Sequence, residues 1–158
     1  MCIRDSARIY RFDGTSWTQV GQDIDGESAG DRSGEAVAMS ADGNTVIIGA
    51  ERNDGNGNDS GHARIYSFNG TSWTQVGQDI DGENAGDNSG EGVAISADGN
   101  TVIIGALFND AGGIDSGHVR VFRGQAPALC NGRVVTVFTV LGQPGTAGSD
   151  VILSLIHI

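Results

Sequence analysis

The chain has 158 residues, a formal net charge of -11 and an isoelectric point near 4.3. All nine basic residues are arginine. A nucleic-acid binder needs a clustered basic face to replace phosphate counterions, so that class is excluded. No run reaches the ~18 apolar residues of a membrane-spanning helix. An acidic surface with 26 glycines suits a salt-exposed protein that attracts cations.

The chain opens with MCIRDS and closes with LSLIHI. One short DNA, read in opposite directions, encodes both hexapeptides, and it is similar to the transposon end used in preparing sequencing libraries. Residues 1–6 and 153–158 are therefore expected to derive from adapter DNA, which makes the remainder an internal piece of a longer chain, and they are set aside. Cys2 and His157 go with them. Cys130 remains without a partner for an internal disulfide.

Residues 7–62 and 63–118 align without a gap, with 45 of 56 positions identical. Such a repeat decides the fold class before any single element does. Strands are expected at about 7–12, 16–23, 35–40, 45–50, 62–68, 72–79, 91–96, 101–106 and 118–123. The run 63-ARIYSF-68 alternates faces with period two, and 69-NG-70 is a hairpin turn. In 91-EGVAIS-96, Val93 and Ile95 share one face, and Gly92, Ala94 and Ser96 line the other, which is small enough for a second sheet to approach. The turn 98-DGN-100 leads to 101-TVIIGA-106, apolar on both faces as in a strand covered on both sides. No segment has helical periodicity. Four antiparallel strands per 56-residue repeat point to an all-β fragment of a β-propeller, whose blades bury their faces by stacking. Parallel β-helix coils are the other reading, and the two-residue hairpin turns argue against them.

The stretch 86-GDNSGEGVAISADGNTVIIGA-106 resembles the FG-GAP repeat of integrin-type propellers, and most closely its bacterial relatives. Gly86-Asp87, Ser89-Gly90 and Gly105-Ala106 match the family's marks, as do Gly30-Asp31, Ser33-Gly34 and Gly49-Ala50. Ser stands for the family's Phe, and its final Pro is absent. The resemblance covers 7–123 and implies blade boundaries near Ser33 and Ser89. It also implies an extracellular or cell-surface, non-catalytic binding or structural module, adhesion-like, with a protein or glycan ligand and further blades in the parent chain. The alternative is an accessory propeller of a secreted hydrolase. Residues 124–152 form a linker. Within it, 129–152 is similar to the lead-in to hemolysin-type calcium repeats, with a strand completing the third blade as the other reading.

The family's calcium loop would fall at 41-ADGNT-45 and 97-ADGNT-101, which are too short to wrap an ion with 6–8 oxygens. Two other stretches offer oxygen ligands. In 23-DIDGESAGD-31, Asp23, Asp25, Glu27 and Asp31 recur as Asp79, Asp81, Glu83 and Asp87. These connections are either solvated or weak calcium sites. In 53-NDGNGNDSGH-62, Asp54, Asn56, Asn58 and Asp59 hold alternate positions suited to calcium or simply to a polar turn. The second copy replaces Asn56 and Asn58 by Gly112 and Ile114. His62 and His118 are repeat equivalents and read as structural. Nothing resembles a nucleophile elbow or zinc signature. Arg11, Arg32, Glu51 and Arg52 differ between copies and are candidates for unique function. Trp17 and Trp73 suit edge packing or glycan stacking.

Overall fold

The structure is a computed structural model. It describes residues 5–124, and the backbone of 128–130, 133–135 and 138–140. The hexapeptide ends, apart from Asp5 and Ser6, lie outside the described residues, as does most of the tail with its calcium-repeat resemblance.

All described regular structure is β. The strands are β1 (Ser6–Ala7), β2 (Tyr10–Phe12), β3 (Trp17–Gln19), β4 (Ile24–Asp25), β5 (Ala36–Met39), β6 (Thr45–Ala50), β7 (His62–Phe68) and β8 (Trp73–Gln75). They continue with β9 (Ile80–Asp81), β10 (Ser89–Ile95), β11 (Thr101–Ala106), β12 (His118–Gly124), β13 (Ala128–Cys130), β14 (Arg133–Val135) and β15 (Phe138–Val140). One complete blade runs β5-β6-β7-β8, with β9 also paired to β7. The next runs β10-β11-β12-β15, and every strand pairing within the two blades is antiparallel. The short pairs β2-β3 and β1-β4 repeat the outer half of the complete blade one repeat earlier. This is a fragment of a β-propeller.

Two expected strands end early. The stretch 72–79 keeps only β8, with a separate β9 just beyond it, and 16–23 keeps only β3, with β4 just beyond it. Gly77 and Gly21 stand at the breaks with φ of 77° and 72°. A left-handed residue cannot continue the pleat, so the outer strand steps over and resumes pairing at the other end of β7. The turn Asp42-Gly43-Asn44 closes as expected. Asp42 Oδ1 accepts from Ser40 Oγ at 2.6 Å and from the Asn44 N–H at 3.0 Å, and Asp98 holds Ser96 and Asn100 in the same way.

The blades stack through two junctions built from the same residues. At the first, Ile24, Val46, Ile48, Tyr66 and Trp73 are buried, with Ala7, Ile9 and Val20 against them. At the second, Ile47, Ala63, Ile65, Val102, Ile104 and Phe122 are buried, with Val76 and Ile80 against them. Val46, Ile48 and Tyr66 of the first are Val102, Ile104 and Phe122 of the second. A single small sheet leaves these faces wet, and stacking removes them from water.

The paired motif marks lie at this junction. Gly90 has φ of +95°, and a Cβ there would collide with the His62 carbonyl. A Cβ on Gly49 would collide with the Gly90 carbonyl. Ser89, fully buried, donates its backbone N–H to Ser60 O at 3.0 Å. The Ser-Gly of one blade and the Gly-Ala of its neighbour thus let two backbones touch where no side chain fits.

Candidate cation site at the blade junction

The two acidic connections and the 53–62 loop pack together. Gly82 N–H donates to Gly61 O at 2.7 Å, and Gly86 N–H donates to Asn58 O at 2.9 Å. Asn56 donates its side-chain amide to Gly82 O at 2.8 Å and to Glu83 O at 3.2 Å. Asn53, buried, donates to Asp31 Oδ2 at 2.9 Å and to Glu27 Oε2 at 3.3 Å. Asn109 does the same for Asp87 and Glu83, at 2.7 and 3.4 Å.

The four carboxylates of each connection do not meet at one point: Glu27 and Asp31 share Asn53, Glu83 and Asp87 share Asn109, and Asp79 and Asp81 face His62. Asp23 accepts from Gln19 Nε2 at 2.6 Å and Arg8 Nε at 2.9 Å, which hold it below the ordinary carboxylate value. Asp25 is exposed in β4, and its backbone carbonyl accepts from Arg64 Nη2 at 2.9 Å. Asp31 is buried and also accepts from the Ser28 N–H at 3.1 Å. Asp87 is buried and likewise accepts from Asn84 N–H at 3.0 Å. In the opening loop, Asp54 Oδ1 accepts from the Asp59 N–H at 2.8 Å, with Asp59 at φ 49°. Asp110 and Asp115 repeat this bond at 2.8 Å although the second copy lacks both Asn residues. In both copies this loop is held as a turn by its own first aspartate.

Convergence occurs between copies instead. Glu27 and His62, both of the first copy, meet Asp79 and Asp81 of the second. His62 Nδ1 stands 4.0 Å from Glu27 Oε2, 3.9 Å from Asp79 Oδ2 and 4.0 Å from Asp81 Oδ1. One ligand atom each of Glu27, His62 and Asp79 lie within 4.8 Å of one another. The His62 side chain is 1 % exposed, and its Nδ1 has no hydrogen-bond partner. Burial, followed by the Arg64 charge, lowers its pKa from the ordinary imidazole value, against the pull of Asp79, Glu27 and Asp81. The imidazole is therefore held neutral, with a lone pair available. Arg64 Nη1 lies 3.5 Å from Glu27 Oε1 and anchors the far oxygen of that carboxylate. Gln75 Nε2 donates to Asp79 Oδ1 at 2.6 Å and leaves Oδ2 towards His62.

Asn53, Arg64 and Gln75 escape a reading of the sequence that looks only for ligand types. Their signal is retention in both copies, as Asn109, Arg120 and Gln19. The copy-specific Arg32 and Glu51 form an ion pair at 2.8 Å, replaced in the second copy by Asn88 and Leu107. Trp73 is buried and donates to Val20 O at 2.8 Å, whereas Trp17 is 68 % exposed beside Phe12.

Residues 23–66 match the family model of the FG-GAP repeat. That span runs from the first acidic connection through β5 and β6 into β7, across a blade junction. None of the curated proteins matches the chain. With its stacked antiparallel blades and the paired Ser-Gly and Gly-Ala marks, the chain carries an FG-GAP-like repeat.

Proposed function

We propose that the chain is a non-catalytic binding and structural module of the adhesion-like kind, displayed outside the cell or on its surface. FG-GAP repeats are typical of extracellular proteins and of ligand-binding propellers. No helix among the described residues is long and apolar enough to cross a membrane. One observation carries the binding role. The residues retained between copies fill the junctions, whereas the 51–59 and 107–115 loops, around their buried and retained Asn53 and Asn109, differ at five of nine positions. Arg52 and Asn58 of the first become Phe108 and Ile114 of the second, 45 % and 90 % exposed. An isoleucine that exposed gains nothing for the fold, and sites on a propeller are grafted onto such loops. The ligand is a protein or glycan contacted by this copy-specific surface. Calcium would associate only loosely with the connections 23–31 and 79–87, because their carboxylates are divided among separate partners.

The test is surface plasmon resonance of the full chain over immobilised extracellular-matrix proteins and a glycan panel. A binder should lose at least tenfold in affinity with the Phe108→Arg/Ile114→Asn variant, which carries the first copy's residues. Binding unchanged by that exchange, or no binding across both panels, would count against the proposal.

A further inference from the structure

We propose that His62 Nδ1, with the carboxylates of Glu27 and Asp79, binds one first-row divalent cation of the zinc type across the blade junction. The inference is independent of the ligand-binding reading above. A buried nitrogen without a hydrogen-bond partner is costly, and here it faces three carboxylate oxygens at 3.9–4.0 Å. Those spacings are too long for hydrogen bonds. They are only slightly wider than the ~3.4 Å between donors around a tetrahedral zinc with bonds of about 2.1 Å. Small side-chain torsions close the difference, and Asp81 or water completes the fourth position.

Charge agrees with this assignment. The carboxylates of Glu27, Asp79 and Asp81 and the guanidinium of Arg64 surround a neutral imidazole. Their balance is two negative charges, which one divalent cation neutralises. The supporting shell is also present. Gln75 orients Asp79, while Asn53 and Arg64 orient Glu27. Imidazole nitrogen and few oxygens select zinc-like ions, whereas calcium requires 6–8 oxygens.

The repeat provides an internal control. His118 Nδ1 lies 3.3 Å from Glu83 Oε2, but the positions one repeat beyond Asp79 and Asp81 are Val135 and Val137. Ser6 stands one repeat before His62, ahead of the first copy. Among the described residues the set is therefore complete once, at the junction that joins the first acidic connection to the following blade. A cation there would tie the two elements together.

Isothermal titration calorimetry of the chelator-stripped full chain with zinc chloride tests this. We expect a stoichiometry of about one and a rise in melting temperature with zinc. Glu27→Gln and His62→Gln should abolish both. Gln75→Leu should weaken binding by about 10- to 100-fold, as loss of a ligand-orienting partner does. His118→Gln should change neither affinity nor stoichiometry. Melting in chelator checks that each variant folds. If His62→Gln does not fold, Glu27→Gln, whose side chain is 44 % exposed, decides the matter. Zinc binding that survives Glu27→Gln unchanged, no zinc binding by the native chain, or calcium bound as tightly as zinc would each overturn the assignment.

Discussion

Trp73 donates its indole N–H to the carbonyl of Val20, 53 residues earlier, across a distance of 2.8 Å. The bond joins the outer strand of one blade to the outer edge of the element before it. Its repeat equivalent, Trp17, meets no such element among the described residues and stands 68 % exposed. The same residue in the same local sequence therefore differs in consequence. Trp73→Ala should cost about 3–5 kcal/mol, through lost burial and an orphaned carbonyl. Trp17→Ala should stay within about 0.5 kcal/mol of the parent. Urea denaturation of both variants measures the contrast, and equal effects would contradict the junction described here.

Gly90 tests the close approach of the two blades. Its φ of +95° disfavours any side chain, and a Cβ would meet the His62 carbonyl. Gly90→Ala should destabilise by at least about 2 kcal/mol, combining backbone strain with overpacking. Gly70, also at positive φ but with nothing near its Cβ, isolates the strain alone. Gly70→Ala should cost roughly 1 kcal/mol. A thermal melt in which the two variants fall together would mean that the blades do not touch at Gly90.

The Asp-Gly-Asn turns predict an acid limb of stability. Hydrogen bonds from Ser40 and Asn44 hold Asp42 below its reference value of 3.8, and those from Ser96 and Asn100 do the same for Asp98. A carboxylate with a depressed folded pKa stabilises the fold above its unfolded pKa. That contribution is lost as pH falls through the folded value. Stability should be flat above about pH 5 and decline steadily below about pH 4. The Asp42→Ala/Asp98→Ala double variant should be less stable at pH 6 and show a shallower decline. Chemical denaturation across pH 2.5–6 is the measurement, and an unchanged slope would refute the assignment.

The last described face is bare. Ile47, Ala63 and Ile65 of the complete blade are 0–4 % exposed because the next blade covers them. Their equivalents Ile103, Val119 and Val121 are 41 %, 63 % and 42 % exposed. An uncovered apolar sheet face invites association. Sedimentation velocity should show concentration-dependent self-association, reduced by Val121→Arg with little change in melting. A strict monomer at every concentration would show that something else covers this face.

Much of the architecture was legible in the residues. The 56-residue period, the two-residue turns and the doubly apolar TVIIGA runs specify short antiparallel strands that must stack. Those signals are local, since alternation and turn chemistry depend on neighbours a few positions away. The break in the outer strand was less visible, because Gly77 reads equally well as a strand residue or a bulge until its φ is known.

The site behaved differently. Sequence order grouped Asp23, Asp25, Glu27 and Asp31, because they are close along the chain. Folding sends Asp23 to Arg8, Asp31 to Asn53, and Glu27 to His62 at the far end of its own copy, beside Asp79 and Asp81 of the next. A repeat makes each position appear equivalent to its copy, yet a junction joins one half of a repeat to the other half of the next. The sequence by itself therefore determined the blades and their stacking, through periodicity and turns. Only the tertiary structure decided which carboxylates meet the buried imidazole, because that depends on contacts between residues far apart along the chain, Glu27 from the same copy and Asp79 and Asp81 from the next.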